Sequence, residues 1–329
     1  MSLPLAVSLG DPAGIGAEVI AKSWERRASQ ALHPFFVVGE IAAIQAVWDG
    51  PAAAITAPGD AASMFASSLP VLGVGERCRV EPGRPSAAGA RSALDALELA
   101  VGLTRSGAAA AVVTGPVSKA QLYEIGFVHP GQTEFVAERC GIAVDKVAMM
   151  LAGPTLRTVP VTTHIPISAV PAALSAELIV ARGRTVIRGL RRQFGIERPR
   201  LAVAGLNPHA GESGALGRED LEIIAPAIEQ LRSDGDADVI GPLAADSMFH
   251  ASARRSYDAA LCMYHDQALI PLKALHFDEG VNITLGLPIV RTSPDHGTAF
   301  DIAGKDLAAP QAMIAAIALA AACARRMAA

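Results

Sequence analysis

The amino-acid sequence predicts an α/β protein. Short apolar runs of strand length alternate with longer Ala- and Leu-rich segments of helical character, and most runs stop at Gly, Pro, Asn or His. The runs are apolar on both faces, which suits a sheet that helices cover on each side. The length of 329 residues allows one large unit or two packed subdomains.

The individual elements follow from these patterns. The predicted strands are residues 5–9, 35–38, 109–113, 147–151, 157–161, 201–204 and 259–263. The predicted helices are residues 17–28, 88–105, 134–140, 176–194, 220–232 and 308–326. The Pro- and Gly-rich passage 81–86 is predicted as a loop or as a hinge between subdomains. The last helix contains Pro310 and Gln311 and is rich in alanine, which gains little from lipid, so it is predicted to pack in the core rather than span a membrane.

Charge and cysteine content exclude several classes of partner. The net charge of -4 and the pI near 6.1 provide no overall attraction to nucleic acid or to anionic lipid. Neither is therefore expected as a partner. The scattered cysteines Cys78, Cys140, Cys262 and Cys323 form no CxxC pair, and no export signal is visible before Gly10, so a reduced, cytoplasmic protein is expected.

Three predicted strands are each followed by a histidine. His164, His209 and His265 come just after the runs that end at residues 161, 204 and 263. Ligands bind outside the carboxyl ends of the strands in an open α/β sheet, so these imidazoles can share one point. Three imidazoles can bind a divalent metal and leave coordination positions open for a substrate. Each histidine alone is more often structural, so a catalytic metal site and ordinary hydrogen-bonded histidines both remain open.

Cations and an amide near these segments indicate an anionic ligand. Lys119 follows the third predicted strand, Lys273 lies eight residues after His265, and Arg291 follows an apolar run. Asn282 adds an amide donor. Cations in apolar surroundings are costly unless they are paired, so a phosphate or carboxylate ligand is a reasonable hypothesis.

Carboxylates and glycines in the same regions carry weaker signals. Asp246 and Asp266 are candidates for orienting metal ligands or moving protons, and either could instead cap a helix. Gly14 and Gly16 lack the third glycine of the dinucleotide fingerprint, and a tight strand-to-helix turn is the preferred interpretation. Asp295 is interpreted as part of a loop near a cofactor.

A series of ordered motifs resembles one known family. The motifs are Gly-Asp-Pro-Ala-Gly-Ile-Gly from Gly10, Thr-Gly-Pro-Val-Ser-Lys from Thr114, Pro-Gly-Gln-Thr-Glu-Phe from Pro130, Thr-Thr-His-Ile-Pro from Thr162, Gly-Leu-Asn-Pro-His-Ala-Gly-Glu from Gly205, Tyr-His-Asp-Gln from Tyr264, Gly-Val-Asn-Ile-Thr-Leu-Gly-Leu-Pro from Gly280, and Arg-Thr-Ser-Pro-Asp-His-Gly-Thr-Ala from Arg291. In this order they resemble the 4-hydroxythreonine-4-phosphate dehydrogenases of the vitamin B6 pathway, from Gly10 nearly to the C-terminus.

The resemblance implies a fold similar to that of isocitrate and isopropylmalate dehydrogenases, with two α/β/α subdomains around a cleft. The first would comprise residues 1–135 and about 300–329, and the second about 136–299. It also implies a homodimer whose subunits complete each other's active sites.

The same resemblance implies roles for individual residues. His164, His209 and His265 would bind a divalent ion, zinc, magnesium or cobalt, and NAD or NADP would accept the hydride. Substrate would be held by Gln132, Thr133, Lys273, Asn282 and Arg291. The catalytic groups would be Asp246, Asp266 and Lys273, and cofactor contacts are expected from Gly286, Leu287 and Asp295. The sequence departs from the family pattern at Gln132, where the pattern has histidine; glutamine cannot titrate, which puts proton transfer there in doubt.

The implied reaction is oxidation of 4-phosphooxy-L-threonine, followed by decarboxylation to 3-amino-2-oxopropyl phosphate for pyridoxine 5'-phosphate synthesis. The ion would chelate the substrate amine and hydroxyl, and the resulting beta-keto acid would lose carbon dioxide readily.

Other functions are open on the residues alone. Related metal-dependent dehydrogenases act on threonate or erythronate 4-phosphate, or on the dihydrodiol of an aromatic dicarboxylate. A site of three histidines could also serve a lyase or hydrolase without a redox cofactor. The third alternative is a non-catalytic binding protein.

Overall fold

The structure is a computed structural model that describes residues 3–75 and 80–328. Cys78 lies outside the described residues. The strands are β1 Leu5–Ser8, β2 Phe35–Val38, β3 Ala52–Ile55, β4 Leu69–Leu72, β5 Val112–Thr114, β6 Ala148–Ala152, β7 Arg157–Pro160, β8 Arg200–Ala204, β9 Asp238–Leu243, β10 Ala259–Cys262, β11 Val281–Leu285 and β12 Arg291–Pro294. The α-helices are α1 Gly16–Glu25, α2 Ile41–Gln45, α3 Ala61–Met64, α4 Ala87–Arg105, α5 Lys119–Glu124, α6 Gln132–Arg139, α7 Val170–Ala173, α8 Ala176–Phe194, α9 Ala225–Ser233, α10 Ala245–Met248, α11 Ala251–Arg254, α12 His265–His276 and α13 Gln311–Ala328.

The chain divides into two compact units. One comprises Met1–Gly141 and Pro288–Arg325, and the other comprises Ile142–Leu287 and Arg326–Ala329. The chain returns to the first unit before β12 because this strand pairs with β5. The sequence prediction placed the two divisions at about 135 and 300. The loop 81–86 lies inside the first unit, so it is not a hinge between the units.

The first unit contains a parallel sheet in the strand order β3-β4-β2-β1-β5-β12. Its central strands β1, β2 and β5 are completely buried, as expected for a parallel sheet covered on both faces.

The turn from β1 into α1 explains two glycines of the first motif. A Cβ on Gly16 would lie 2.2 Å from the carbonyl oxygen of Leu9, and one on Gly14 would lie 2.9 Å from that of Thr298. Both glycines therefore allow close packing, as the preferred interpretation required.

The second unit contains a mixed sheet in the strand order β11-β6-β7-β10-β8-β9. The strands β7, β10, β8 and β9 are parallel, whereas β6 pairs antiparallel with both β11 and β7. Ser175 caps the N-terminus of the long helix α8, where its hydroxyl accepts a hydrogen bond from the amide of Leu178, and Gly195 caps the C-terminus in the left-handed conformation. These strands and helices hold the loops that carry the three histidines.

The predicted α/β class is confirmed, while several boundaries differ. Helix α8 has the predicted bounds, but the strand predicted at 109–113 begins only at Val112. The helix predicted at 220–232 starts with a wider π-helical turn, Asp220–Ile224, before α9. Strands β3, β4, β9, β11 and β12 were not predicted.

Helix α13 is long and apolar enough to cross a membrane by length and composition alone. In the described residues, however, 44% of it is buried, and Met313, Ala316 and Ile317 are among its inward-facing side chains. The hydroxyl of Thr292 in β12 donates a hydrogen bond to the carbonyl of Ala316. These contacts are typical of a packing helix, which is what the sequence predicts.

Candidate active site

The three histidines follow three neighbouring parallel strands of the second unit. Strand β10 lies between β7 and β8, so the carboxyl ends of all three strands share one edge of the sheet. His164 follows β7, His209 follows β8, and His265 is the first residue of α12 after β10. The topology therefore brings the three histidine loops to the edge where ligands bind in such sheets.

His164 and His265 lie side by side. Their ring centroids are 5.5 Å apart. His164 has a left-handed backbone with φ of 54°, which is unusual for a residue with a side chain and is common at functional sites. A cavity of about 180 Å³ adjoins both rings and is also lined by Thr162, Tyr264 and Asp266. The two imidazoles thus face space that a ligand can enter.

Carboxylates engage one ring nitrogen on two of the histidines. Nδ1 of His265 lies 2.7 Å from Oδ1 of Asp266, and Nδ1 of His209 lies 3.1 Å from Oε2 of Glu212. A carboxylate at Nδ1 favours the proton there and leaves Nε2 as the ligating nitrogen, which is the usual arrangement around metal-binding histidines. The sequence interpretation missed Glu212, although it stands in the Gly205 motif three residues after His209.

The histidines do not form a complete ligand set within one chain. Across residues 3–75 and 80–328, no group of three His, Cys, Asp or Glu side chains is close enough to hold a metal ion. The His209 side chain is 65% exposed beside Glu212. The donor chemistry, imidazoles of which two have Nδ1 beside a carboxylate, nevertheless fits a divalent ion such as zinc or cobalt.

The other predicted residues of the second unit lie on α10, α12 and β11. Asp246 is exposed in the first turn of α10, which contacts the Pro208–Gly214 segment that contains His209. Lys273 lies on α12, the helix that begins with His265. Asn282 lies on β11, and its buried amide oxygen Oδ1 has no hydrogen-bond partner among residues 3–75 and 80–328. A buried acceptor without a partner indicates that a donor from a ligand or water binds there.

The first unit contains a second group of predicted residues around Arg291. Its guanidinium donates hydrogen bonds to the hydroxyls of Thr114 at 2.7 Å and Thr133 at 3.5 Å. Burial lowers the pKa of Arg291 to about 10, so the side chain is still a cation at neutral pH. A buried cation whose contacts include two neutral hydroxyls is suited to binding an anion.

Gln132 lies beside this group at the start of α6. Its amide Nε2 donates to the carbonyl oxygen of Gly115 at 3.2 Å. That bond orients the side chain, and the buried Oε1 has no hydrogen-bond partner in the part of the chain that the structure describes. Gln132 therefore presents an acceptor, which is suited to a ligand hydroxyl or ammonium group.

Two of the residues predicted to contact the cofactor have structural reasons for their identity. Gly286 has φ of 89°, and a Cβ there would lie 2.3 Å from the carbonyl oxygen of Lys146. Leu287 is buried in the core. Asp295 is partly exposed just after β12. Contacts between these residues and a nicotinamide cofactor stay a prediction.

Comparison with known proteins decides the family. Residues 30–320 match the family described as pyridoxal phosphate biosynthetic protein PdxA. The chain belongs to the PdxA family. A 4-hydroxythreonine-4-phosphate dehydrogenase of Zymomonas mobilis is 56% identical over 318 residues, which are 97% of this chain and 95% of the relative.

Solved structures of PdxA relatives have the same fold. The 4-hydroxythreonine-4-phosphate dehydrogenase of Klebsiella pneumoniae superposes with a TM-score of 0.87 at 37% identity, with 98% of each chain covered. A terephthalate 1,2-cis-dihydrodiol dehydrogenase of Burkholderia xenovorans has a TM-score of 0.68 at 30% identity, over 97% of this chain and 98% of that one. The resemblance inferred from the motifs is thus confirmed for the PdxA family.

Proposed function

We propose that this chain catalyses the NAD- or NADP-dependent oxidation of 4-phosphooxy-L-threonine and its decarboxylation to 3-amino-2-oxopropyl phosphate, in pyridoxine 5'-phosphate biosynthesis in the cytoplasm. The observation that carries the proposal is the similarity to 4-hydroxythreonine-4-phosphate dehydrogenases along almost the whole chain, at 56% identity over 97% of it. The dihydrodiol dehydrogenase is a more distant relative at 30% identity.

His164, His209 and His265 would hold a divalent ion. We infer that His209 comes from the partner subunit of a homodimer, because His164 and His265 pair within one chain whereas the exposed His209 does not join them. The exposed apolar side chains Ile165 and Ile167 beside His164 support a subunit contact at this edge. When bound, the ion supplies Lewis acidity that lowers the pKa of a substrate hydroxyl.

The substrate would be bound by the donors and acceptors already described. Arg291, a buried cation, is suited to the phosphate or carboxylate. Within the described residues, the amide oxygens of Gln132 and Asn282 are acceptors without hydrogen-bond partners and are suited to the N–H and O–H groups of the substrate. Lys273 would add a second cation. A substrate with two anionic ends and an amino alcohol satisfies each of these groups.

Proton transfer would be carried out by groups near the histidines. Lys273 and Asp246 would accept and return protons at the substrate hydroxyl and at the carbon that loses carbon dioxide. Asp266 would orient the His265 ring through its 2.7 Å contact with Nδ1. Gly286, Leu287 and Asp295 are proposed to lie near the nicotinamide, which supplies a hydride acceptor when bound.

The proposal is tested by NADH and NADPH formation from purified protein with divalent metal. The substrates to compare are 4-phosphooxy-L-threonine, threonate 4-phosphate, erythronate 4-phosphate and the terephthalate dihydrodiol. We expect oxidation of the first, loss of activity in His209→Ala, and wild-type activity in His33→Ala, a partly exposed histidine of the first unit that hydrogen-bonds the Leu3 carbonyl. Absence of nicotinamide reduction with every substrate would contradict a dehydrogenase. Full activity of His209→Ala would contradict only the metal assignment.

A further inference from the structure

A buried carboxylate holds the residues that precede His209. Asp220 lies on the π-helical turn and is 1% exposed. Its Oδ1 accepts a hydrogen bond from the backbone amide of Leu206 at 2.9 Å, and its Oδ2 accepts from the amide of Asn207 at 3.2 Å. The side-chain amide of Asn207 donates a further bond to Oδ2 at 3.0 Å. A buried carboxylate needs such donors, and here they come from the two residues that lead into the His209 turn.

The loop after β8 packs tightly around that carboxylate, and the residues that follow have a strained backbone. A Cβ on Gly205 would lie 2.6 Å from Oδ1 of Asp220, so only glycine allows this approach. Residues from His209 to Ser213 all have positive φ, with values of 51°, 52°, 81°, 43° and 57°. Four of them are not glycine, and each left-handed residue with a side chain costs free energy. The turn therefore needs surrounding contacts to keep His209 in place.

Gln267 connects this loop to the one that carries His265. Its side chain is largely buried, and its Oε1 accepts a hydrogen bond from the backbone amide of Met263 at 2.7 Å. Its Nε2 donates to the carbonyl oxygen of Gly205 at 2.8 Å. One amide side chain thus fixes the ends of β10 and β8 against each other, just before His265 and His209.

We propose that Asp220 and Gln267 are positioning residues for the metal-binding histidines. The inference rests on the proposed metal site and adds to it the groups that preset the two loops. Asp220 holds the two residues that lead into the strained His209 turn, and Gln267 holds Gly205, just before them, against the His265 loop. Loss of either contact lets the histidine loops relax before metal binds, so the ion must order them and binds more weakly.

The test measures metal affinity directly, with Co²⁺ as the only ligand. Apo-protein is titrated with Co²⁺ and its visible absorption gives the Kd for the wild type, Asp220→Asn and Gln267→Leu. We expect the Kd to rise by about 10–100-fold in both variants, the usual effect of losing groups behind metal ligands. Asp258→Asn is the matched control, because Asp258 accepts from the backbone amide of Arg200 at 2.8 Å at the opposite end of β8. It should lower the melting temperature and leave the Kd unchanged.

The outcomes separate this inference from the proposed function. If Co²⁺ does not bind the wild type, or binds His209→Ala equally well, the proposed metal site is wrong. If His209→Ala loses Co²⁺ while Asp220→Asn and Gln267→Leu bind it like the wild type, the positioning role is wrong. If Asp220→Asn does not fold, the Co²⁺ affinities of Gln267→Leu and Asn207→Ala test the positioning role instead. Each of these variants removes hydrogen bonds from the loop that leads to His209.

Discussion

Gln132 shows how one side chain sets the chemistry that a site can use. The bond from its Nε2 to the Gly115 carbonyl directs Oε1 into the protein as an acceptor. An imidazole at this position would exchange protons near neutral pH, whereas an amide keeps the same hydrogen-bonding character at every pH in that range. Gln132 therefore fits the proposed substrate-binding role, whereas an amide cannot transfer protons in this pH range.

Gln132→His should add an ionisation to the pH profile of kcat/KM. A histidine has an unperturbed pKa of about 6.5, and the neighbouring Arg291 cation would lower it. We expect the variant to change activity between about pH 5.5 and 7 in a step that the wild type lacks. Gln121→His, on the neighbouring helix α5, is the control for adding a histidine to the same unit. Profiles of Gln132→His and wild type that superpose would contradict a substrate contact at this position.

Asp11 provides a pH-dependent test of burial. The side chain is buried, and this desolvation raises its pKa from 3.8, although a hydrogen bond from the amide of Ala13 at 3.0 Å acts in the opposite direction. A raised pKa in the folded state means that the charged carboxylate disfavours folding. This penalty is absent below pH 3.8, where both states are protonated, and is complete above the folded-state pKa.

Asp11→Asn should therefore stabilise the protein more as the pH rises. The asparagine keeps an oxygen for the Ala13 amide and has no charge to desolvate. We expect the difference in melting temperature between variant and wild type to be near zero at about pH 4 and to become positive by a few degrees at about pH 7. An advantage for Asn that shrinks with rising pH would show that the carboxylate is stabilised by contacts rather than penalised by burial.

At the scale of elements, the sequence predicts correctly those helices and strands whose signals lie within the element itself. Helix α8 has its predicted bounds because a serine cap, a periodic apolar face and a C-terminal glycine all agree. Strand β12 is fully buried, but its sequence is Arg-Thr-Ser-Pro, so no apolar run indicates a strand there. Its burial depends on pairing with β5, which is distant in sequence. The three histidines could be predicted because each follows a strand that the sequence pattern indicates. Asp220 was missed because it contacts Asn207, in the loop before His209, from 13 residues away in the sequence.

Gly286→Ala separates a packing role from a cofactor role at the end of β11. The new Cβ would meet the Lys146 carbonyl at 2.3 Å, and the backbone has φ of 89°. Strain and overpacking together should cost about 2–5 kcal/mol of folding free energy. Gly235→Ala is the matched control, because its φ is 74° but no heavy atom of the described residues lies within 4 Å of the new Cβ. It should cost only about 1–2 kcal/mol.

Chemical denaturation and the KM for the nicotinamide measure the two roles of Gly286 independently. A packing role predicts a loss of stability that exceeds that of Gly235→Ala, with an unchanged KM in the protein that remains folded. Unchanged stability together with a raised KM would instead establish Gly286 as a cofactor contact.

At the scale of the whole molecule, the proposed shared metal site predicts complementation between inactive variants. Each active site would contain His164 and His265 of one subunit and His209 of its partner. A mixed dimer of His209→Ala and His265→Ala then has one site that lacks ligands and one site that is intact. Random assembly makes about half of the dimers mixed, so the unsorted co-expressed protein should regain about a quarter of wild-type activity, and purified mixed dimers about half.

The matched control combines His164→Ala with His265→Ala. These two rings lie 5.5 Å apart in the same chain, so every site of that mixed dimer lacks one ligand and activity should stay absent. Two different affinity tags isolate the mixed dimers, and NADH formation is measured on them alone. If both combinations stay inactive, all three ligands of each ion come from one chain, and the exposed His209 must move towards the His164–His265 pair when metal binds. If both combinations regain activity, His164 and His265 serve different ions despite their contact.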